Sequence, residues 1–150
     1  MKKTSVILLI SCLSFLFNCG EKNRAEYDLV IYGGTSSAVI AAVQAARMDA
    51  TVAIVCPDTH LGGMTSGGLG WTDGGNNSAI GGLARDFYRR IYSYYQNPDI
   101  WKWQKKSDYG NIGQGAKALN DADSTGWVFE PHVSESVFED FIKEHNIAVY

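Results

Sequence analysis

Apolar residues along the chain fall into short continuous runs and longer helical repeats, and the two alternate. Residues 27–32 (YDLVIY) and 51–55 (TVAIV) are typical of strands buried on both faces of a parallel sheet. Residues 36–48, between them, are rich in alanine and predict a helix with one face of small side chains. A strand, a helix and a strand within about thirty residues form a βαβ unit, whose right-handed crossover brings the strands side by side. The pattern therefore predicts an α/β fold with a parallel sheet.

The remaining pattern predicts two further helices and two further strands. Residues 80–95 repeat apolar side chains at three- and four-residue spacing, as one face of a helix does. A proline begins residues 131–145 and suits the first position of a second helix. Residues 127–129 and 147–150 are short apolar runs that predict strands. The polar and aromatic stretch at about 97–126 predicts a surface excursion with one short helix.

The turn after the first strand contains two glycines. In a Rossmann-type unit such a turn lets the backbone approach a pyrophosphate, and the N–H groups of the following helix bind the phosphates. Thr35 and Ala38 stand where the fingerprint has its second and third glycines, although a shift of one residue makes Gly34 the second glycine. Ser36 or Ser37 would cap the helix or bind a phosphate oxygen. The fingerprint Gly-x-Gly-x-x-Gly falls on Gly33, Gly34, Thr35, Ser36, Ser37 and Ala38.

The second strand ends at Cys56, where Rossmann-type sequences carry an acidic residue for the ribose hydroxyls. Either Asp58 reaches back to the ribose, or the backbone and water bind it. Cys56 itself suits the role of a small packing residue. The glycine-rich loop at 57–77 is long, and such loops are either functional or disordered. These residues favour dinucleotide binding without deciding which dinucleotide is bound.

Taken together, the segments resemble a known family. YGGT at 32–35 and HLGGM at 60–64 resemble the start of FAD-dependent oxidoreductases of the bacterial secreted or lipoprotein type. IGGLARDFYRRIY at 80–92 and the segment at 126–150 continue the resemblance. It implies a Rossmann-type FAD-binding βαβ unit with FAD as the cofactor. It makes the threonine of the YGGT turn a family trait, while Ala38 stands where the family more often has glycine.

The resemblance also implies a second backbone cradle, against the flavin side of the cofactor, formed by His60, Gly62, Gly63 and Met64. Cys56 and the glycine turn complete the implied cofactor-binding set. His60 can be considered as a catalytic base, but a structural histidine is the simpler interpretation. We expect the residues that contact substrate to lie beyond residue 150, so no catalytic residue is assigned. Because a doubly wound sheet has about five or six strands, we also expect residues 27–150 to be an N-terminal fragment that is inactive alone.

The N-terminus has the pattern of an export signal. Two lysines precede an apolar stretch at 6–17, which is too short for a transmembrane helix and suits residues 1–18 as a signal peptide. LFNC, ending at Cys19, resembles a bacterial lipobox, so we predict lipidation of Cys19 and a tether at 19–26. Asn18 departs from the usual small residue before the cysteine. Two alternatives to lipidation of Cys19 are a plain secretory signal cut near Asn18 and a short anchor that stays attached. A third, lipidation at Cys12, would leave an apolar segment that is too short for a signal peptide.

Composition narrows the possible partners. The chain has 13 basic and 16 acidic residues, a formal charge of -3, and no clustered basic face of the kind that binds nucleic acid. The three histidines and the cysteine spacings match no metal-ligand pattern. Trp71, Trp101 and Trp103 either line a sugar-like or aromatic site or pack on the surface.

The leading hypothesis from the sequence is an exported, membrane-anchored FAD-dependent oxidoreductase with a small-molecule substrate. Its expected location is the periplasm, the outer membrane or the cell surface. One alternative is a truncated, non-catalytic exported lipoprotein. The other is an NAD-binding dehydrogenase domain, against which the HLGG loop and the missing carboxylate at Cys56 argue.

Overall fold

The computed structural model describes residues 25–73, 75–110 and 117–150. The predicted signal peptide and most of the predicted tether lie outside these residues. Short 3-10 turns occur at Gly63–Thr65, Asn77–Ala79, Pro98–Ile100 and Lys106–Asp108. The helices and strands are, in chain order, β1 (Leu29–Tyr32), α1 (Ser36–Ala46), β2 (Val52–Val55), α2 (Gly82–Tyr94), β3 (Leu119–Asn120), β4 (Thr125–Gly126), α3 (Pro131–Glu144) and β5 (Ala148–Val149).

The main sheet is parallel and has the order β1–β2–β5. Leu29 pairs with Val52, and Ala53 pairs with Ala148, so β2 lies between the other two strands. The β1–α1–β2 unit brings its strands side by side, as the crossover rule requires. This confirms the predicted α/β fold with a Rossmann-type unit.

The central strand is buried as predicted, whereas β1 is not. Val52, Ala53 and Ile54 are at most 5% exposed, but Val30 is 57% and Tyr32 79% exposed. The expectation that the first strand is buried on both faces was therefore wrong for the described part of the chain. There β1 pairs with β2 on one edge only, and no described helix covers the face that carries Val30 and Tyr32.

Helix α1 packs on the other face of the sheet, α3 packs against α1, and α2 packs against α3. Their buried positions follow helical spacing. In α1 the small residues Ala38 and Ala42 allow close approach, and the helix ends two residues earlier than predicted. In α3, Pro131 occupies the first turn as predicted. The largest side chains of the shared core are Phe87 and Ile91 of α2, Phe138 and Phe141 of α3, and Trp127, Tyr95 and Phe129 from the connections.

The excursion before α3 contains a two-stranded hairpin that the pattern did not predict. Leu119 pairs with Gly126 in antiparallel register. Residues 127–129, predicted to be a strand, instead follow β4 and make single contacts with the loop after β2: Val128 bridges Trp71, and Phe129 N–H donates to Gly70 O at 2.8 Å. Residues 127–129 are apolar because Trp127 and Phe129 are buried in the core, not because the segment forms a strand.

None of the helices in the described residues has the length and apolar character needed to span a bilayer.

An ion pair joins α2 to α3 beside the core. Arg90 donates to both carboxylate oxygens of Glu144, at 2.6 and 2.8 Å, and its guanidinium lies 4.2 Å from the centre of the Phe141 ring. The hydrogen bonds from Arg90 hold the pKa of Glu144 below its usual range. A carboxyl with a lowered pKa stabilises the fold at neutral pH, and that contribution is lost as the pH falls through the lowered value.

We therefore expect Glu144→Gln to lower the free energy of unfolding at pH 7, and this deficit to become smaller at pH 2, because protonation of Glu144 weakens the ion pair as the pH falls. Urea unfolding at both pH values measures this difference. Glu139→Gln is the matched control, because Glu139 is exposed on the same helix and makes no ion pair with the described residues. A Glu144→Gln deficit of equal size at both pH values would contradict the ion-pair explanation.

Candidate functional site

The turn between β1 and α1 leaves one glycine open and packs the other. Gly33 has φ +111°, and a Cβ placed on it would meet nothing within 4 Å. Its N–H donates to Val55 O at 2.8 Å, which continues the β1–β2 ladder. A Cβ on Gly34 would instead overlap Cys56 Sγ. Gly33 thus offers the open backbone that a ligand can approach, while Gly34 is needed so that β2 can pass close to the turn.

The cap of α1 is Thr35. Its φ and ψ of -68° and 162° are extended, and its Oγ1 accepts from the Ala38 N–H at 3.2 Å. The structure therefore assigns the capping role to Thr35 rather than to Ser36 or Ser37. Because a helix has no intrahelical acceptor for its first N–H groups, the first turn at Ser36 and Ser37 carries the positive end of the helix dipole. A threonine in place of the second glycine thus satisfies the helix end.

The loop that contains His60 to Met64 folds back onto this turn. Gly62 N–H donates to Gly34 O at 2.7 Å, and Gly62 bridges Thr35 in parallel fashion. Both glycines of the loop have left-handed φ values, +106° at Gly62 and +56° at Gly63. A Cβ on Gly63 would lie 3.3 Å from Thr35 Cα. The structure therefore places the two glycine segments of the predicted site against each other.

Side chains that the sequence did not point to hold this loop in place. Ser66 donates to Leu61 O and, at 3.3 Å, to Gly63 O. Ser134 of α3 is fully buried and donates to Thr65 O at 3.1 Å. A Cβ on Gly62 would lie 2.6 Å from Phe138 Cδ2 of the same helix. Nothing in the local pattern marks these contacts, because they join segments far apart in the chain.

His60 lies at the start of the loop and is oriented by α3. Its Nδ1 is 2.8 Å from one carboxylate oxygen of Glu135 and 3.1 Å from the other, and its side chain is 73% exposed. The structure thus gives His60 a partner that ties the loop to α3. Met64, also predicted in the set, is 75% exposed. Cys56 is half-buried, with Sγ 4.0 Å from His60 O.

A cleft of about 280 Å³ opens beside the first turn of α1. Its lining includes three hydroxyl-bearing residues, Ser36, Ser37 and Thr65, and is otherwise apolar or aromatic. Tyr88 lines it and packs against Trp127, with ring centres 4.2 Å apart. The remaining lining residues are Ile40, Ala84, Phe87 and Phe138. Hydroxyl groups, a helix N-terminus and apolar surface in one cleft suit a ligand with a charged and a flat apolar part.

Comparison with protein families agrees with this geometry. Residues 28–150 match the family model described as FAD dependent oxidoreductase. The chain belongs to this family. FAD is therefore its cofactor. Comparison with curated proteins returned no match.

We predict that Gly62→Ala lowers the free energy of unfolding by at least about 2 kcal/mol, because a left-handed φ and contact with Phe138 both oppose a Cβ. Gly75→Ala is the control: Gly75 has open space around it and no left-handed φ, so a change within about 0.5 kcal/mol is expected. Urea unfolding of the wild type, Gly62→Ala and Gly75→Ala measures the change in the free energy of unfolding for each variant. Equal stability of the two variants would show that the loop does not pack as described.

Proposed function

We propose that this protein is an exported, lipid-anchored oxidoreductase whose described residues bind FAD at the first turn of α1. The single observation that carries the FAD-binding role is the contact of Gly62 and Gly63 with the β1–α1 turn. It joins two glycine segments, each with left-handed φ, around one helix N-terminus. Backbone that has no Cβ and lies at a helix N-terminus is suited to phosphate oxygens.

The residues divide the binding of FAD between them. The open backbone at Gly33 and the first-turn N–H groups at Ser36 and Ser37 would hold the pyrophosphate. The hydroxyl groups of Ser36, Ser37 and Thr65 line the same cleft and offer further donors. Cys56 stands at the end of β2 without a carboxylate, so we propose that backbone and water, rather than an acidic side chain at this position, bind the ribose.

When it is bound, FAD supplies the electron transfer of an oxidoreductase. The chain contributes position and shielding. Phe87 and Phe138 are 6% and 2% exposed, and with Tyr88 they give the cleft apolar lining. The described lining contains no carboxylate, imidazole or amine. We therefore propose that the acid or base and the substrate-binding residues lie outside this cleft, and that the described residues alone do not complete a reaction.

Ser37→Asp tests the phosphate-binding role without harming the helix. A negative charge in the first turn of α1 favours the helix dipole, so the midpoint of thermal unfolding should stay the same or rise. The same charge would repel the pyrophosphate, and we expect the affinity for FAD to fall at least about tenfold. Ser37→Asn has a similar shape and no charge, and it should bind FAD within about threefold of the wild type.

The measurement is FAD titration of the refolded full chain, and of any longer form of the protein, followed by flavin fluorescence quenching. If neither the wild-type full chain nor a longer form binds FAD, the flavin proposal is wrong. Binding that is unchanged in Ser37→Asp would place the pyrophosphate elsewhere. Tight binding of NAD in place of FAD would favour a dehydrogenase domain.

The export and anchoring part of the proposal rests on residues outside the described ranges. Two lysines, the apolar stretch at 6–17 and the LFNC sequence ending at Cys19 support it. A lipidated Cys19 would become the first mature residue, and residues 19–26 would link the lipid to the fold. The periplasm or the outer membrane or cell surface is the proposed location.

We expect radiolabelled palmitate to be incorporated into the wild-type chain and lost in Cys19→Ala. Cys12→Ala is the matched control, since Cys12 lies inside the apolar stretch and should leave labelling unchanged. Gel autoradiography of membrane fractions gives the result. Labelling that survives in Cys19→Ala, or that is lost in Cys12→Ala, would refute lipidation at Cys19.

A further inference from the structure

Two of the tryptophans singled out in the sequence lie together at a second cleft. Trp101 and Trp103 follow the 3-10 turn Pro98–Ile100, beyond the end of α2. The cleft has a volume of about 240 Å³ and lies where the end of α2 meets the start of α3. Trp71 is not part of it, because it bridges Val128 elsewhere. The cleft is lined by Tyr94, Tyr95, Ile100, Trp101, Lys102, Trp103, Gln104, Glu130 and His132.

The floor of this cleft is rigid. Tyr95 is 1% exposed, and its hydroxyl donates to Glu130 Oε2 at 2.6 Å and accepts from the Tyr109 hydroxyl at 3.1 Å. The indole N–H of Trp101 donates to Tyr95 O at 3.2 Å. Burial raises the pKa of Tyr95 above its usual range and that of Tyr109 to about 12, so both phenols keep their protons at neutral pH. A ligand would therefore find the aromatic rings and Glu130 already in position.

The rim is exposed and mixes aromatic with hydrogen-bonding groups. Trp103 is 96% exposed, the most exposed of the large hydrophobic residues in the described chain. Lys102, Gln104 and His132 are exposed beside it. The Tyr94 hydroxyl lies 3.3 Å from His132 Nε2. Glu130 uses only Oε2 for Tyr95, and its other oxygen has no hydrogen-bond donor among the described residues.

This combination selects a class of ligand. The flat aromatic faces in the cleft match the C–H face of a sugar ring. The hydroxyl groups of the sugar need hydrogen-bond donors and acceptors, which the polar side chains at the rim of the cleft provide. Glu130 disfavours a phosphate or carboxylate, while the positive charge of Lys102 disfavours a quaternary ammonium ion, for which an aromatic cage would otherwise suit. We propose that this cleft is a carbohydrate-binding site that takes a neutral pyranose unit.

The proposed site is separate from the flavin cleft. The two clefts share no lining residue, and Trp103 follows the C-terminal end of α2, whereas the flavin cleft is lined by Ala84, Phe87 and Tyr88 from its earlier turns. Sugar binding should therefore leave FAD affinity unchanged. The proposal can fail or hold independently of the proposed flavin function.

The experiment is a titration of the ¹⁵N-labelled full chain, observed through the indole N–H signals of its tryptophans. The probes are cellotriose, maltotriose and mannotriose, each added to about 20 mM. We expect at least one of them to shift the Trp103 and Trp101 signals in a saturable way and to leave the Trp71 signal in place. Trp103→Ala should weaken that binding at least about tenfold.

Trp71→Ala is the matched control. Like Trp103, Trp71 is an exposed tryptophan, at 43%, but it lines neither cleft. It should leave sugar affinity within about twofold. Since Trp103 is almost fully exposed, its loss should not change urea unfolding, so a folding defect cannot account for weaker binding. Three outcomes would each overturn the proposal: no saturable shift with any of the trisaccharides, equal weakening in both variants, or binding of tetramethylammonium chloride in place of the sugars.

Discussion

The contact between Gly62 and the ring of Phe138 governs the position of the returning loop. With no Cβ at Gly62, the ring of Phe138 can lie directly against the backbone of the loop. The loop N–H then reaches Gly34 O, and Gly63 comes to rest beside Thr35. A side chain at Gly62 would move the loop away from the turn and open the site. The geometry of the proposed flavin site therefore depends on how closely α3 packs against one backbone segment.

That packing links the site to the core. Phe138 stacks on Phe87 with ring centres 4.8 Å apart, and both residues line the proposed flavin cleft. Ser134, one turn earlier on α3, is hydrogen-bonded to the same loop at Thr65 O. The side chains that stabilise the fold thus also shape the proposed cofactor site. Substitutions there are expected to change stability and flavin binding together, because one contact serves both.

The opposite face of the sheet differs from the helix-covered face. Val30 and Tyr32 stand on β1 with much of their surface exposed, and Tyr150 beside β5 is 64% exposed. Tyr27 and Tyr150 meet through their hydroxyl groups, 2.7 Å apart, at the rim of this face. In the described chain, α1 covers one face of the parallel sheet and α3 packs against α1, and the proposed flavin cleft is lined by residues of all three helices.

The sequence by itself determined the local elements around the first turn. A strand, a glycine turn and an alanine-rich helix follow from residues that are neighbours in the chain, because turn formation and helix propensity are local. It also predicted the parallel pairing of β1 with β2, and the bounds of α2 and α3 to within two residues. The sequence pattern did not predict the β3–β4 hairpin, because each of its strands is only two residues long. It also placed the cap of α1 at Ser36 or Ser37, because Thr35 stands where the fingerprint has a glycine. Only the tertiary structure decided that the His60 loop returns to Thr35. It also decided that Cys56, rather than a ligand, leaves no room for a side chain at Gly34. Finally, it placed Trp101 and Trp103 in one cleft with Glu130, and Trp71 outside that cleft. These arrangements depend on packing between segments far apart in the chain, which periodicity and motif spacing do not record.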